Sequence, residues 1–404
     1  MMPPARSSNK NKYIAAILLL LLISMSAYAY LMSTKTPTIE TGTILVLPVQ
    51  LATDNTDLQW NRYAAMDMLI NKLNVGVSYP LLQTEDIINI ISLIANDHLS
   101  QTIDIQQLMA VSGAGLVIES SITGANNQYQ LAYTLHQQHH TKVGVINASS
   151  IEQALFTAAN EITEQLNPQQ NSQQNSQQNQ QNTKATTQYN SRLSSPLLFN
   201  AITQLQLGDT KAAEQHLSKL IRSTPDNLVA IRLLASIQLQ QQQYEQLNTT
   251  LIAAIDLATH QQDERELARL RLFLAQSYTE TDRIEQALGV LTIAKTNAAK
   301  VKDWLTLGYI SQLAGMINQR IGRNDEAREQ FKKAIEYHQM MNYPIGQTQA
   351  LNELAELEVI EFNYPQAYRY INRSYELVAH RGLDDLEKTT FKLMTKIENK
   401  MQHR

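Results

Sequence analysis

The sequence of 404 residues contains no cysteine. That absence excludes a disulfide framework, a cysteine-ligated zinc or iron–sulfur site, a cysteine nucleophile and the modified cysteine of a bacterial lipoprotein. A charge excess is also absent, because 33 basic and 37 acidic residues give a net charge of −4. The near-neutral total gives no reason to expect direct nucleic-acid binding.

Catalytic motifs are missing as well. The sequence has no Gly-x-Ser-x-Gly, no Walker loop and no His-Glu-x-x-His. Gly113, Ala114 and Gly115 form too short a run to cradle a phosphate, and a tight turn explains them better. We therefore expect a non-enzymatic protein with no catalytic residues, cofactor or metal, and a hydrolase or transferase is the less favoured class.

A long apolar run stands near the start of the chain. Residues 13–32 carry no charge over 20 residues, about the length that crosses a bilayer as a helix. Basic residues precede the run, so the positive-inside rule predicts that residues 1–12 are cytoplasmic and that the bulk of the chain is periplasmic, on a bacterial inner membrane. Ala27 and Ala29 also fit a small-x-small cleavage site, so a signal peptide is the alternative.

Residues 43–166 combine strand and helix signals and predict a small α/β domain. The expected strands are 43–48, 78–82, 116–123, 129–135 and one beginning at 143, and the expected helices are 57–74, one from Thr84 through Ile94, 104–111 and 150–166. The segment has three basic and 11 acidic residues, a net charge of −8, so a small cationic ligand is a possible partner.

The densest histidine cluster follows the strand that ends near 135. His136, His139 and His140 should lie in a hairpin turn, without clear carboxylate or thiolate partners for a metal. Since histidine titrates near pH 6.5 and its surroundings are acidic, we expect either a pH-responsive patch or an exposed polar loop.

Residues 167–190 read as a linker between two independent modules. Thirteen of the 16 residues in 167–182 are Gln or Asn, and such a composition cannot bury apolar surface.

Residues 194–382 contain an internal repeat. Ala287, Ala327 and Ala367 lie 40 residues apart, with further small residues in register. The pattern predicts five two-helix units stacked as a solenoid, closed by a capping helix over 384–401. In that helix we expect three apolar residues to face inward: Leu386, Phe391 and Met394.

The repeat resembles the tetratricopeptide family. The resemblance rests on small residues at matching places in the units: Ala201, Gly208, Ala213 and Pro225; Ala275, Ala287 and Ala294; Gly315, Gly322, Ala327 and Ala334; Ala355 and Ala367. It implies a concave surface lined by the first helix of each unit, which binds a protein or peptide partner through amide, guanidinium and phenol groups. The residues expected there are Arg232, Arg269, Gln276, Tyr309, Gln312, Gln319, Asn352 and Glu356.

The first domain resembles the periplasmic module of CadC-like membrane regulators and the related TolB amino-terminal-like α/β domain. The matching segments are TILVLPV, LQWNRYAAMDMLINKL and SGAGLVIESSITGANNQYQLAYTL, with Gly113, Ala114 and Gly115 before the hairpin. Only a dozen residues precede the apolar run, so we expect no counterpart of the winged helix of those regulators. The resemblance implies a periplasmic sensor subunit of a CadC-like regulatory system, responding to pH or a small cationic ligand, as the alternative function.

Together these features predict an α+β chain with a single membrane helix, a small α/β domain and then an all-α tetratricopeptide-repeat solenoid.

Overall fold

The computed structural model of the chain describes residues 42–52, 61–94, 104–125, 127–166 and 195–402. These residues form fifteen helices and one five-stranded sheet. None of the helices in these ranges is long and apolar enough to cross a membrane. The expected tail, membrane helix and linker (1–12, 13–32 and 167–190) lie outside the described residues.

The sheet is mixed and has the order β1-β3-β4-β5. Strands β1 and β2 both pair in parallel with the long strand β3, while β3–β4 and β4–β5 are antiparallel. The strands are Thr43–Val46 (β1), Gln50–Ala52 (β2), Ala114–Ala125 (β3), Gln128–His136 (β4) and Thr141–Ala148 (β5). The strand expected over 78–82 is wrong, because only Leu81 forms a single bridge there, to Ile44. At three residues, β2 is too short to show a period in the sequence.

Helices cover one face of the sheet at β4 and β5. Leu131, Tyr133 and Leu135 of β4 are buried, and the Tyr133 hydroxyl lies 3.2 Å from Glu161 Oε2 in α4. Val143 and Val145 of β5 are exposed. The part of the sheet formed by β4 and β5 is therefore half-buried, as its period of two requires, whereas all four residues of β1 are buried. The helices of this domain are Asn61–Gly76 (α1), Thr84–Ile94 (α2), Ile105–Ser112 (α3) and Ile151–Leu166 (α4).

The second domain is a run of antiparallel helix pairs, which is a tetratricopeptide-like solenoid. Five pairs precede a single final helix: Pro196–Gln206 (α5), Thr210–Ser223 (α6), Leu228–Gln240 (α7), Tyr244–His260 (α8), Glu264–Glu280 (α9), Ile284–Lys300 (α10), Trp304–Arg320 (α11), Asn324–Met340 (α12), Pro344–Ile360 (α13), Tyr364–Val378 (α14) and Asp384–Gln402 (α15). The first helices of successive pairs, α7, α9, α11 and α13, contact one another and then α15. They form the inner, concave layer.

The turns repeat every 20 residues. From Gln242 to Phe362, each turn holds one residue with positive φ, and six of those seven residues are not glycine; the last turn holds two, His380 and Gly382. At Asp282 and Arg283 the backbone N–H groups donate to the Thr279 and Tyr278 carbonyls, which is the Schellman arrangement that ends a helix. The 40-residue spacing in the sequence is therefore two 17-residue helices with two three-residue turns.

Small residues allow the helices to cross closely. Ala275, Ala287, Ala327 and Ala367 are fully buried. A Cβ built on Gly315 would lie 2.6 Å from the ring of Phe331, so only glycine fits at that crossing. In α15, Phe391 is 52% exposed, so its expected inward orientation is wrong.

The two domains are not independent modules. One continuous hydrophobic core joins the sheet to the solenoid, through buried residues such as Leu305, Met341, Tyr343, Ile345 and Leu383. The rings of Tyr63 in α1 and Phe199 in α5 also pack, with centroids 5.8 Å apart. The expected modularity failed because a Gln/Asn-rich connection says nothing about whether the domains that it joins present complementary surfaces.

Candidate functional site

The concave face of the solenoid is divided between two roles. Residues near the amino-terminal ends of its inner helices hold the α/β domain, and residues of α9, α11, α13 and α15 line an open cavity.

Arginines of the solenoid bind the start of α2. Arg232 Nη2 donates to Glu85 Oε1 at 2.8 Å, and Arg269 Nη2 donates to Asp86 Oδ2 at 2.9 Å. Arg232 also donates to Glu266 at 2.9 Å, and Arg269 lies 3.4 Å from Asp303. Both arginines are buried. Two residues predicted to bind a partner are thus occupied by the chain's own α/β domain.

Burial sets the electrostatics of this network. Burial raises the pKa of Asp86, and the nearby carboxylates of Asp303 and Glu85 raise it further, against the opposing effect of Arg269. Burial would also raise the pKa of Glu85, but Arg232 and Arg269 together hold it below its usual value. Each arginine faces more than one carboxylate, so removal of an arginine leaves buried negative charge behind.

A second contact fixes the orientation of the domains. The turn between α12 and α13 packs on the end of α3, where Asn342 Nδ2 donates to the Gly113 carbonyl at 2.9 Å. The Thr43 hydroxyl donates to the Met341 carbonyl, and Arg381 Nη1 donates to the Ala110 carbonyl at 2.7 Å. Gly113 has φ +70°, as the expected tight turn requires, and a Cβ there would lie 1.6 Å from the Asn342 oxygen. The glycine therefore serves both the turn and the docking.

The cavity occupies the rest of the concave face. It has a volume of about 870 Å³ and opens between α9, α11, α13 and α15. Its apolar lining consists of Leu272, Phe273, Leu313, Met316, Leu386 and Leu393. Its polar lining consists of Gln276, Thr279, Glu280, Tyr309, Gln312, Gln349, Asn352, Glu353, Glu356, Thr389, Lys392 and Lys396.

The polar groups in the cavity differ in whether other residues of the chain already occupy their hydrogen-bonding atoms. Gln312 Oε1 is buried and has no hydrogen-bond partner among the described residues. Asn352 is engaged on both sides, since its Nδ2 donates to Thr390 at 3.0 Å and its Oδ1 accepts from Ser374 at 2.5 Å. The Tyr309 hydroxyl lies 3.5 Å from that of Tyr343, and burial, followed by Tyr343, raises its pKa well above the usual value.

Two carboxylates stand on the α13 wall. Burial raises the pKa of Glu353 to about 7, and the neighbouring Glu356 adds to the shift. Glu353 therefore exchanges its proton in the neutral pH range, where a bound cation or hydrogen-bond donor would favour its charged form.

Of the eight predicted partner-binding residues, five line the cavity: Gln276, Tyr309, Gln312, Asn352 and Glu356. Arg232 and Arg269 bind the α/β domain instead, and Gln319 lies outside the cavity lining. The α15 residues of the wall were missed, because a capping helix carries no repeat register from which to place them. Phe273 and Met316 were also missed, although they lie three residues before Gln276 and four after Gln312, on the same helix faces.

The histidine cluster is remote in sequence from the cavity walls: His136 ends β4 rather than lying in the expected turn, and His139 and His140 lie in the turn before β5. His136 Nε2 lies 3.0 Å from Glu119 Oε2 of β3, and His139 and His140 are exposed. In the part of the chain that the structure describes, no three His, Asp or Glu side chains are grouped to hold a metal ion.

Comparison with known proteins gives fold-level similarities alone. No family model matches the chain, and no curated protein matches it. Among solved structures, BtubC from P. vanneervenii is 16% identical, with 52% of this chain and 85% of that chain covered and a TM-score of 0.42. A thermophilic TPR protein from Thermus thermophilus is 18% identical, with coverages of 49% and 97% and a TM-score of 0.40.

A third similar structure is a signal transduction ATPase with a tetratricopeptide repeat sensor, from Pyrococcus horikoshii. It is 12% identical, 82% of this chain is covered, and the TM-score is 0.43. The chain spans 52% of the length of that protein. At these low scores the similarity adds nothing to the site, and the assignment of the solenoid rests on the chain's own helix pairs and turns.

Proposed function

We propose that this protein binds a segment of a protein partner in the concave cavity and catalyses no reaction. A tetratricopeptide-like solenoid suggests protein–protein interaction. The observation that carries the proposal is the open cavity of about 870 Å³ on the inner helix layer. Its walls combine apolar side chains with amide groups, and its buried Gln312 Oε1 has no hydrogen-bond partner within the described ranges.

The chemistry of the cavity suits a peptide. Its volume falls within the range of roughly 300–1,000 Å³ that is usual for binding pockets, which is enough for a few residues of extended chain. Gln276 and Gln312 supply amides that both donate and accept hydrogen bonds, as a peptide backbone requires. Leu272, Phe273 and Met316 offer apolar surface to an anchoring side chain.

Site-specific photocrosslinking in the living host tests the proposal. A photoreactive phenylalanine analogue would replace Phe273 or Met316 in the full chain, and Ile293 on the outer helix α10, which is 51% exposed, is the control position. We expect the same partner to be crosslinked from both cavity positions and not from Ile293. Equal adducts from all three positions, or none from the cavity, would contradict the proposal.

We further propose that the protein is anchored in a bacterial inner membrane through residues 13–32, with its bulk in the periplasm. The support is the uncharged 20-residue run after basic residues. Protease added to spheroplasts should digest the solenoid while a tag on residue 1 survives. Protection of the solenoid would contradict this location.

The second candidate function is a periplasmic sensor subunit of a CadC-like regulatory system. The observation in its favour is the pair His136–Glu119 at 3.0 Å, beside two further exposed histidines on an acidic domain. Replacement of His136, His139 and His140 by glutamine should flatten the pH profile of expression from the regulated promoter, measured with a reporter gene. An unchanged profile would remove the histidines from any sensing role.

A further inference from the structure

The final helix carries a regular row of positive charge. Lys388, Lys392, Lys396 and Lys400 recur every four residues along α15, and all four are exposed. Residues four apart lie on one side of a helix, so these lysines form a continuous band, here called the lysine stripe.

The lysine stripe is continuous with the cavity. Lys392 and Lys396 line the cavity on its α15 side. The same two lysines border a shallow groove on the outer side of α15, together with Phe391, Thr395 and Asn399. A chain that leaves the cavity over α15 would therefore pass directly onto the stripe.

Little within the molecule neutralises the stripe. Lys388 faces the exposed Asp385 at 3.8 Å, and Lys400 lies 5.8 Å from the centre of the Tyr364 ring. Among the described residues, Lys392 and Lys396 form no ion pair. Their charges remain available to an external group.

A second wall of the cavity, formed by α13 next to α15 and by the end of α9, carries the other sign. Glu353 and Glu356 stand on α13, and Glu280 stands at the end of α9. A negative group on a ligand is repelled by that wall and attracted by α15. The distribution of charge thus favours one orientation of a bound peptide, in which an acidic flank leaves the cavity along the lysine stripe.

We propose that the partner segment is a peptide whose apolar residues enter the cavity and whose acidic flank lies along the lysine stripe. This inference rests on the proposed peptide-binding function and adds the chemistry and orientation of the ligand. A protein partner is favoured over a membrane surface, because Leu393 and Ile397 of α15 are buried against the solenoid. Phe391 and Met401 are the apolar side chains that α15 leaves exposed, too few for insertion into a bilayer.

Selection from a random phage library of dodecapeptides on the full-length chain tests the inference and requires no identified partner. Parallel selections would use Lys392→Glu/Lys396→Glu and a matched control, Lys211→Glu/Lys219→Glu, which makes the same charge change on exposed residues of α6. A cavity-filled variant, Gln276→Trp/Met316→Trp, measures background.

We expect wild type and the α6 control to enrich peptides with an apolar core and Asp or Glu toward one end. The stripe variant should lose that acidic bias. A synthetic selected peptide should bind the stripe variant about tenfold more weakly at low salt, and the difference should shrink at about 0.5 M salt. Its Asn/Gln analogue should bind both proteins equally.

Peptides enriched over the cavity-filled variant but without acidic bias would overturn the inference and leave the proposed function intact. No enrichment over that variant would overturn both. Sedimentation with phosphatidylglycerol and phosphatidylcholine vesicles tests whether the lysine stripe binds the negative headgroups of a membrane instead. Stripe-dependent binding to phosphatidylglycerol, with no acidic bias among peptides, would replace the peptide inference with a membrane contact.

Discussion

The guanidinium of Arg269 donates to the carboxylate of Asp86 across the domain boundary, at 2.9 Å, with 9% and 18% of the two side chains exposed. Arg269 belongs to α9 on the concave face, and Asp86 belongs to the first turn of α2. The solenoid thus uses part of its concave surface to hold its own amino-terminal domain and leaves the rest open.

Loss of this arginine should destabilise the whole molecule. Arg269→Met would leave the buried carboxylate of Asp303 and the partly buried carboxylates of Glu85 and Asp86 without their shared cation. Since removal of one partner strands buried charge, we expect the free energy of unfolding to fall by about 3–5 kcal/mol in urea titrations. Lys332→Met removes a half-exposed pair with Glu329 and should change it by less than about 1 kcal/mol. Equal effects would show that the domain boundary network is not stabilising.

Gly113→Ala should loosen the contact between the domains. The positive φ costs about 1–2 kcal/mol for alanine, and overlap with the Asn342 carbonyl adds about 1–3 kcal/mol. Gly322→Ala is the matched control, because Gly322 has φ +76° but no atom within 4 Å of the added Cβ. Hydrogen exchange should accelerate around 110–113 and 341–343 in the first variant alone. Identical exchange in both variants would mean that the two domains do not meet at Gly113.

Acid should weaken the fold through His338. Its ring is buried between Gly308 and Gly346, neither ring nitrogen has a hydrogen-bond partner in the described chain, and burial lowers its pKa to about 4. The unfolded chain has a pKa near 6.5, so it binds the proton first. Stability is unaffected above about pH 6.5 and falls as the pH drops toward 4, by about 3 kcal/mol in all.

The measurement must separate the effect of His338 on the pH dependence of stability from the effect of Glu353. The pKa of Glu353 is raised to about 7, so the folded state holds its proton and stability falls as the pH rises from about 4.5 to 7. Between about pH 4.5 and 6.5 the two groups change the unfolding free energy in opposite directions. The unfolding free energy of the wild type therefore varies less with pH than His338 alone would cause. The difference in unfolding free energy between wild type and His338→Leu, taken at each pH, isolates the histidine. A difference that does not change between pH 7 and 4 would contradict the assignment.

The turns offer a stabilising substitution. Gln242 is exposed and has φ +59°, which is unfavourable for a residue with a Cβ. Gln242→Gly should raise the free energy of unfolding by about 0.5–1 kcal/mol, net of the greater freedom of glycine in the unfolded chain. The neighbouring Gln241 is also exposed but has φ −82°, so Gln241→Gly should lower it by about 1 kcal/mol. The same sign for both variants in thermal melts would be contrary to this account.

Local patterns predicted much of each domain. The alternation of Tyr129, Leu131, Tyr133 and Leu135 belongs to β4, whose buried residues fall on one face. The 40-residue spacing of small residues corresponds to paired helices, since a close helix crossing tolerates only a small side chain. Five of the eight residues placed on the concave face line the cavity, because the repeat register sets which face of each first helix points inward.

The sequence by itself determined the periodic features of this protein, because helix faces, strand alternation and close crossings are set by neighbours within a few tens of residues. The tertiary structure alone decided how the concave face is shared. Arg232 and Glu85 are 147 residues apart, and nothing local marks them as partners rather than as ligands of something else. Likewise, α15 is a wall of the cavity because it packs against α13 and α14, which its own sequence does not indicate. Contacts of that range depend on complementary shape and charge between whole domains, which no local pattern records.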